Sequence, residues 1–385
     1  MQLIKTKKLS KFDKIRPYHD AEVNEALQVI GRHPMVKSML QFIFPQATDA
    51  FIKGVLGNCY SIRDFQTKVI ARGIQNVLSR SSEGLTTNGF EKLDKNTAYL
   101  YISNHRDIVL DTGLINLSLF HQGMVMTASA IGDNLVQQSF LLGLSKLNRS
   151  FLVQRGLTPR EMLMSSKLLS EYISESIIVN NRSIWMAQRE GRTKNGNDVT
   201  QQGLLKMLSL AKSENSEFKH FKNLKIVPVA ISYEFDPTDM LKMPELMAKH
   251  YEEEYIKSEN EDFNSILKGL TGNKKRIHIG VGEVLDVAMD VISESGAGKN
   301  KQLQELALLI DQKIHQQYKL WPTNYLAYDM LFGVEKYKAF YTSKEERQFQ
   351  RRIEKRVDSN NKIALENFLL MYANPVVNTE KLNGN

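Results

Sequence analysis

The stretch Tyr101-Ile-Ser-Asn-His-Arg-Asp-Ile-Val-Leu-Asp111 decides how the chain is organised. The apolar run at residues 98–102 predicts a buried strand, which ends at the polar pair that follows. His105 then lies on the connection to a helix that begins near Asp107. A histidine at a strand end, with acidic residues two and six positions later, can act as a general base with an orienting carboxylate. The same pattern also fits a surface histidine beside a helix-capping aspartate.

Short apolar runs alternate with helical stretches through the middle of the chain. The runs cover residues 98–102, 124–128, 151–153, 183–187, 226–232 and 277–281. This alternation predicts an α/β fold with a largely parallel sheet flanked by helices. Active sites in such sheets lie outside the carboxyl ends of the strands, and His105 occupies that position.

The two ends of the chain are predicted to be helical. Residues 1–95 form a helical N-terminal region, 96–290 the α/β domain, and 291–385 a helical C-terminal region with a frayed tail. Within the first region, residues 81–97 are polar and predict a linker or exposed loop. The apolar stretch 35–44 fits either packing against the main domain or docking onto lipid. Residues 344–356 predict a basic helix with a solvated face.

Composition restricts the classes of function. The 385 residues carry a net charge of +8, which favours anionic partners such as an anionic membrane surface or a phosphorylated substrate. No basic run is interleaved with aromatic residues, so we expect no nucleic acid. The single cysteine and the absence of a signal-peptide core favour a cytoplasmic protein. The eight histidines form no pair at the spacing of metal ligands together with carboxylates, so we expect no metal site.

Two further strand ends carry cations. In Phe151-Leu-Val-Gln-Arg-Gly-Leu-Thr-Pro-Arg-Glu161, Thr158 to Glu161 is a capping box, so Arg155 lies between a strand end and a helix N-terminus. In Ile184-Trp-Met-Ala-Gln-Arg-Glu-Gly-Arg-Thr-Lys-Asn-Gly196, a strand runs into a turn that fits a phosphate site or a charged hairpin turn. The candidate residues of this turn are Arg189, Glu190, Gly191, Arg192 and Lys194. The fourth segment is a buried strand at 226–232 that leads to Ser232-Tyr-Glu234.

Taken in order, these four segments resemble the four sequence blocks of the glycerophosphate/phospholipid acyltransferase superfamily, which includes glycerol-3-phosphate and 1-acylglycerol-3-phosphate acyltransferases. The resemblance spans residues 104–234, about a third of the chain. It implies that the histidine and aspartate of the first block are catalytic, that the second and third blocks bind the acceptor's phosphate, and that the fourth shapes the acyl site. The implied base is His105 with Asp111, and the implied acceptor-binding residues are Arg155, Glu190, Gly191, Arg192 and Lys194.

The sequence departs from the family pattern at two places. The family has four residues between histidine and aspartate, whereas Asp111 leaves five and Asp107 leaves one. The third block usually reads Glu-Gly-x-Arg, but here Arg192 directly follows Gly191. We prefer Asp111 as the partner of His105, because Asp107 is well placed to cap the helix and Asp111 lies one turn further on the same face.

The resemblance implies a peripheral membrane enzyme of phospholipid synthesis on the inner face of the membrane. Its donor would be an acyl thioester, either acyl-ACP or acyl-CoA, with no cofactor and no metal. Its acceptor would be a phosphorylated glycerol, and the Ser-Tyr-Glu ending of the fourth block favours glycerol 3-phosphate. No Gly-x-Ser-x-Gly elbow occurs, which argues for direct transfer without an acyl-enzyme. Two alternatives stay open: a non-phosphate acceptor such as a lipoamino acid, and a non-catalytic lipid-binding protein.

Overall fold

The computed structural model describes residues 10–212, 216–358, 360–382 and 384. Part of the basic N-terminal stretch lies outside these residues. The fold is an α/β architecture with one seven-stranded sheet flanked by helices, as the sequence predicted.

The sheet is mostly parallel. Its strands are β1 (Ser82–Asn88), β2 (Leu100–Ser103), β3 (Ala128–Gly132), β4 (Ser150–Val153), β5 (Ile184–Ala187), β6 (Ile226–Tyr233) and β7 (Lys275–Val281). They lie in the order β1-β7-β6-β2-β5-β3-β4, and β6–β7 is the one antiparallel pair among the described strands. β2 therefore lies between β6 and β5, and the residues that follow it leave the sheet at its middle.

Helices cover both faces of the sheet and make up most of the described residues before and after it. They are α1 (Asp20–Ile30), α2 (Pro34–Ile43), α3 (Asp49–Gly57), α4 (Ile62–Phe65), α5 (Ala71–Ser81), α6 (Leu110–His121), α7 (Ser139–Leu147), α8 (Pro159–Ser174), α9 (Gln202–Leu208), α10 (Glu217–Leu224), α11 (Asp239–His250), α12 (Glu261–Thr271), α13 (Asp286–Ser293), α14 (Lys299–Gln317), α15 (Pro322–Phe332), α16 (Ser343–Glu354) and α17 (Lys362–Leu382). A π-helical segment, Gln66–Ile70, joins α4 to α5.

The alternation of side chains along β2 divides the core into two layers. Leu100 and Ile102 pack on one face with residues of α8, α9, α10 and α14. Tyr101 packs on the other face with residues of α5 and α6. Because both faces of the strand are buried, its sequence is a continuous apolar run, as is typical of parallel sheets.

The N-terminal helices form a third hydrophobic cluster together with α7. Val36 and Leu40 of α2 are buried in it, whereas Met35 and Met39 are 39% and 40% exposed. The stretch 35–44 therefore packs through one face and leaves part of its apolar surface in solvent. No helix among the described residues is long and apolar enough to cross a bilayer.

Three local expectations were wrong. The polar segment 81–97 contains the edge strand β1, which pairs with β7; as an edge strand it is half exposed and lacks the apolar run of a central strand. β3 begins at Ala128, because Met124 and Met126 pack in the core before the strand starts. The tail expected to be frayed is helical through Leu382, since buried residues of α17 anchor it.

Candidate active site

His105 lies three residues beyond Ile102 of β2, and its ring contacts Asp111 in the first turn of α6. His105 Nδ1 lies 2.8 Å from Asp111 Oδ2. The histidine side chain is 14% exposed and the aspartate is fully buried. Nε2 has no hydrogen-bond partner among the described residues. The pair therefore presents one ring nitrogen to the surface and holds the other against a carboxylate.

The Asp111 carboxylate accepts hydrogen bonds from three groups besides His105. The backbone N–H groups of Arg106 and Asp107 donate to Oδ2 at 2.7 and 3.0 Å. The hydroxyl of Tyr233, at the end of β6, donates to Oδ1 at 2.8 Å. Burial, followed by the nearby carboxylates, raises the pKa of Tyr233 well above its ordinary value, so this hydroxyl keeps its proton. A carboxylate that accepts several hydrogen bonds from fixed donors is held in one orientation.

Neighbouring strands hold the backbone around His105. The Asn104 amide accepts from the Ile231 N–H at 2.8 Å and donates to the Ile231 carbonyl at 2.9 Å, as a further residue of β2 would. The Thr193 N–H donates to the His105 carbonyl at 2.9 Å. The edge of the Trp185 ring meets the imidazole, with 5.4 Å between the ring centroids. The base is thus positioned by groups from β5, β6 and the turn after β5.

Asp107 has a different set of contacts. Its Oδ1 accepts from the backbone N–H groups of Val109 and Leu110 at 3.0 and 2.8 Å, so this oxygen caps the start of α6. Its Oδ2 is buried without a partner, and a Cβ at Gly269 of α12 would clash with it. Burial and the charge of Asp111 raise the pKa of Asp107. Asp107 therefore makes capping contacts, while Asp111 contacts the imidazole.

The expected acceptor-binding residues of the second and third segments meet at the surface. Arg155 Nη1 forms an ion pair with Glu190, and the two side chains are 38% and 66% exposed. The Arg155 N–H also donates to Asp133 Oδ1 at 3.1 Å. Gly191 follows with a φ of 68°, in the left-handed region that glycine adopts without strain. These residues form an exposed charged corner at the carboxyl end of the sheet.

The other two expected cations of this site are engaged elsewhere. Arg192 is buried, with 7% of its surface exposed, and its Nη2 donates to Ser265 of α12 at 3.3 Å. Its Nη1 has no partner among the described residues. Lys194 forms an ion pair with Glu245 at 2.6 Å. The structure thus brings Arg155 and Glu190 together but separates Arg192 from them by burial.

A buried charge network beneath the base was not predicted from the sequence. Arg106 makes two bonds to Asp198, at 2.9 and 2.6 Å. Lys242 pairs with Asp236 and donates to the Arg106 carbonyl at 3.2 Å. Burial disfavours the charge of Asp236, but Lys242 outweighs it and lowers the pKa of that carboxyl. These pairs fix the backbone that immediately follows His105.

A small cavity adjoins this network. Its volume of about 10 Å³ is close to the minimum for one water molecule. Arg106, Thr193, Tyr233 and Asp236 are among its lining residues. Thr193 Oγ1 is buried without a partner, so a water in this cavity would complete its hydrogen bonding.

The last residue of the fourth segment, Glu234, makes contacts between two strands. Glu234 is fully buried and accepts from Lys275 Nζ at 2.8 Å and from Arg276 Nε at 2.5 Å. Glu234 therefore ties β6 to β7. Among the described residues, no group of three or more His, Cys, Asp or Glu side chains is arranged to hold a metal ion.

Neither a family model nor a curated protein matches the sequence. Among solved structures, the chain is similar to the crystal structure of the 1-acyl-sn-glycerophosphate (LPA) acyltransferase PlsC from Thermotoga maritima. The sequence identity is 13% and the TM-score is 0.35, and the match covers 76% of this chain and 94% of that chain.

Proposed function

We propose that the protein is an O-acyltransferase that moves a fatty acyl group from a thioester, acyl-ACP or acyl-CoA, to glycerol 3-phosphate or 1-acylglycerol 3-phosphate. The observation that carries this proposal is the contact of His105 Nδ1 with Asp111 Oδ2 at 2.8 Å, while Nε2 has no partner in the described part of the chain. The resemblance of the four segments to the acyltransferase blocks supports the same reaction. General-base catalysis by histidine requires a carboxylate on one ring nitrogen and access for the substrate to the other, and the buried Asp111 and the partly exposed His105 fit this arrangement.

The chemistry is a direct transfer. The acceptor hydroxyl approaches His105 Nε2, which takes its proton as the oxygen attacks the thioester carbonyl. Asp111 holds the imidazole in the tautomer with hydrogen on Nδ1 and stabilises the imidazolium that forms. When the tetrahedral intermediate collapses, the carbon–sulfur bond breaks and the imidazolium returns the proton to the thiolate. No covalent acyl-enzyme is needed.

We assign the acceptor's phosphate to the exposed corner that Arg155, Glu190 and Gly191 form. Arg155 is the cation that a ligand can reach, because 38% of its side chain is exposed. Its pairing with Glu190 would have to loosen, so that the guanidinium can donate to phosphate oxygens. Arg192 and Lys194 would add positive charge from positions that are buried or already paired.

A second candidate has the same chemistry with a non-phosphate acceptor such as a lipoamino acid. The engaged state of the three cations that the resemblance implies favours it: Arg155 and Lys194 are paired with carboxylates, and Arg192 is buried. A site with few free cations suits a neutral or zwitterionic acceptor better than a phosphate dianion.

The membrane is the proposed location of the acceptor, with the protein peripheral on its inner face. The net charge of +8 and the half-exposed Met35 and Met39 support this location.

The test is a purified-enzyme assay that crosses acyl-ACP and acyl-CoA with glycerol 3-phosphate, 1-acylglycerol 3-phosphate and a lipoamino acid. We expect turnover with a phosphorylated glycerol. Turnover with the lipoamino acid alone would establish the second candidate. Transfer in no combination, together with measurable binding of lipid, would show that the protein is a non-catalytic lipid-binding protein.

A further inference from the structure

The helix α16 carries cations on two sides, and those on its inner side are neutralised. Arg352 is buried, and its Nε donates to Asp239 Oδ2 at 2.7 Å. Arg356, just beyond the helix, donates to Asp239 Oδ1 at 2.8 Å. The fully buried carboxylate of Asp239 therefore takes both cations of the inner side.

The outer side carries four cations that have no such partner. They are Lys344, Arg347, Arg351 and Lys355, and all four are exposed. Their spacing of three, four and four residues places them on one face of the helix. None of them forms an ion pair within the part of the chain that the structure describes, although the exposed Glu354 lies at the margin of this face. We call these four residues the α16 stripe.

Exposed aromatic side chains precede the α16 stripe in the chain, four and twelve residues before Lys344. Phe340 is 54% exposed and stacks on Tyr325, with 4.5 Å between ring centroids. Phe332, at the end of α15, is 52% exposed. Exposed aromatic rings that precede a row of Lys and Arg in the chain fit a surface that lies at a membrane–water interface.

We propose that the α16 stripe is the surface through which the protein binds an anionic lipid bilayer, an inference that rests on the membrane location put forward under the proposed function. A row of exposed cations without carboxylate partners attracts an anionic surface, and a bilayer supplies many anionic headgroups at once. The exposed Phe340, four residues before Lys344, would add an apolar contact in the headgroup region.

The inner side of the same helix connects this contact rigidly to the candidate active site. Arg352 Nη2 donates to the Asp236 carbonyl at 2.6 Å, and the Asp236 side chain pairs with Lys242. Lys242 in turn donates to the carbonyl of Arg106, the residue after His105. A bilayer bound at the α16 stripe would thus lie at a fixed distance from the base.

The experiment measures vesicle binding of the full chain without substrate, so its outcome does not depend on the proposed acyl transfer. In one variant, Lys344, Arg347, Arg351 and Lys355 are replaced by Gln. A control variant loses the same charge from exposed residues elsewhere, by replacement of Lys95, Lys206, Lys249 and Lys301 with Gln. Sedimentation is measured with vesicles of phosphatidylcholine alone and with added phosphatidylglycerol, and thermal unfolding checks that both variants are folded.

We expect the unmodified protein to bind the anionic vesicles and to be released at about 1 M salt, where the Debye length is about 3 Å. The stripe variant should bind about tenfold or more weakly, and the control variant within about threefold of the unmodified protein. Equal losses in the two variants would overturn the proposal, because overall charge alone would then explain binding. Stripe-dependent binding to a soluble polyanion such as heparin, without binding to vesicles, would also overturn it and assign the stripe to an acidic macromolecule.

Discussion

Tyr233 donates its hydroxyl hydrogen to Asp111 Oδ1 at 2.8 Å, while Oδ2 of the same carboxylate contacts His105 Nδ1 at 2.8 Å. Tyr233 belongs to β6 and Asp111 to α6, and they are 122 positions apart in the sequence. The candidate base therefore has a carboxylate partner that is itself held from the opposite side. Tyr233 acts through Asp111, which makes it a positioning residue.

The change Tyr233→Phe should lower kcat by roughly five- to thirtyfold, which corresponds to about 1–2 kcal/mol of positioning lost in the transition state. The Michaelis constants should change little. Without this donor the Asp111 carboxylate loses one of its fixed contacts, so the imidazole is held less firmly in the orientation that accepts the proton. Steady-state kinetics give kcat and both KM values, and urea unfolding compares the stability of the variant with that of the unmodified protein. A fall in kcat that only follows a loss of folded protein would indicate a structural role.

The two aspartates of the first segment should respond differently to replacement by Asn. Asp107→Asn keeps the Oδ1 that caps α6 and removes a buried charge, so activity and stability should stay close to those of the unmodified protein. Asp111→Asn should lower kcat by a factor on the order of 10⁴, because the imidazole loses its preferred tautomer. Steady-state kinetics of both variants, with circular dichroism as the folding control, decide the matter. The reverse pattern would make Asp107 the partner of His105.

Replacement of Arg155 and replacement of Arg192 should have different effects. Arg155→Ala removes an exposed cation, so the KM for a phosphorylated acceptor should rise about tenfold or more while the donor KM and the unfolding free energy stay nearly constant. Arg192→Ala removes a buried donor to Ser265 and should cost about 1–3 kcal/mol of stability. Kinetics with each substrate varied in turn and urea unfolding test both expectations. Equal changes in the two KM values for Arg155→Ala would remove it from the acceptor site.

Burial raises the pKa of Asp311 to about 6, although Thr200 donates two hydrogen bonds to this carboxylate. A carboxyl whose pKa is raised by folding is destabilising when ionised, so its effect on stability becomes less favourable as the pH rises from about 4 to about 6. Asp311→Asn keeps the acceptor oxygen and removes this effect. The variant should gain about 1–2 kcal/mol relative to the unmodified protein between pH 5 and pH 8. Urea unfolding at the two pH values measures this; a pH-independent difference would contradict it.

The parts of the fold that were predictable depend on local sequence. The capping box at Thr158 was predicted and is present, because its hydrogen bonds join residues three positions apart. The central strands were predictable because burial on both faces requires apolar side chains throughout. The edge strand β1 was missed, since an exposed strand that pairs along one side has no such requirement.

The contacts around the base depend on residues that are distant in the sequence, and spacing does not reveal them. Arg106 and Asp198 are 92 positions apart, and Arg192 donates to Ser265, 73 positions further on. The sequence showed that a cation lay at each of these places, but not whether it would be exposed. Asp111 lies in the first turn of α6 and contacts His105, whereas Asp107 precedes this helix, so helix periodicity does not relate the two aspartates as the sequence suggested.

The measurement that tests the central claim most directly is the turnover of His105→Ala, with Asp111 and Tyr233 unchanged. The assay uses the donor and acceptor pair that gives the highest rate with the unmodified protein. If His105 removes the acceptor proton, kcat should fall by about 10²–10⁴-fold, while the acceptor KM and the thermal unfolding midpoint change little. A folded His105→Ala protein that turns over at nearly the unmodified rate would contradict the general-base mechanism.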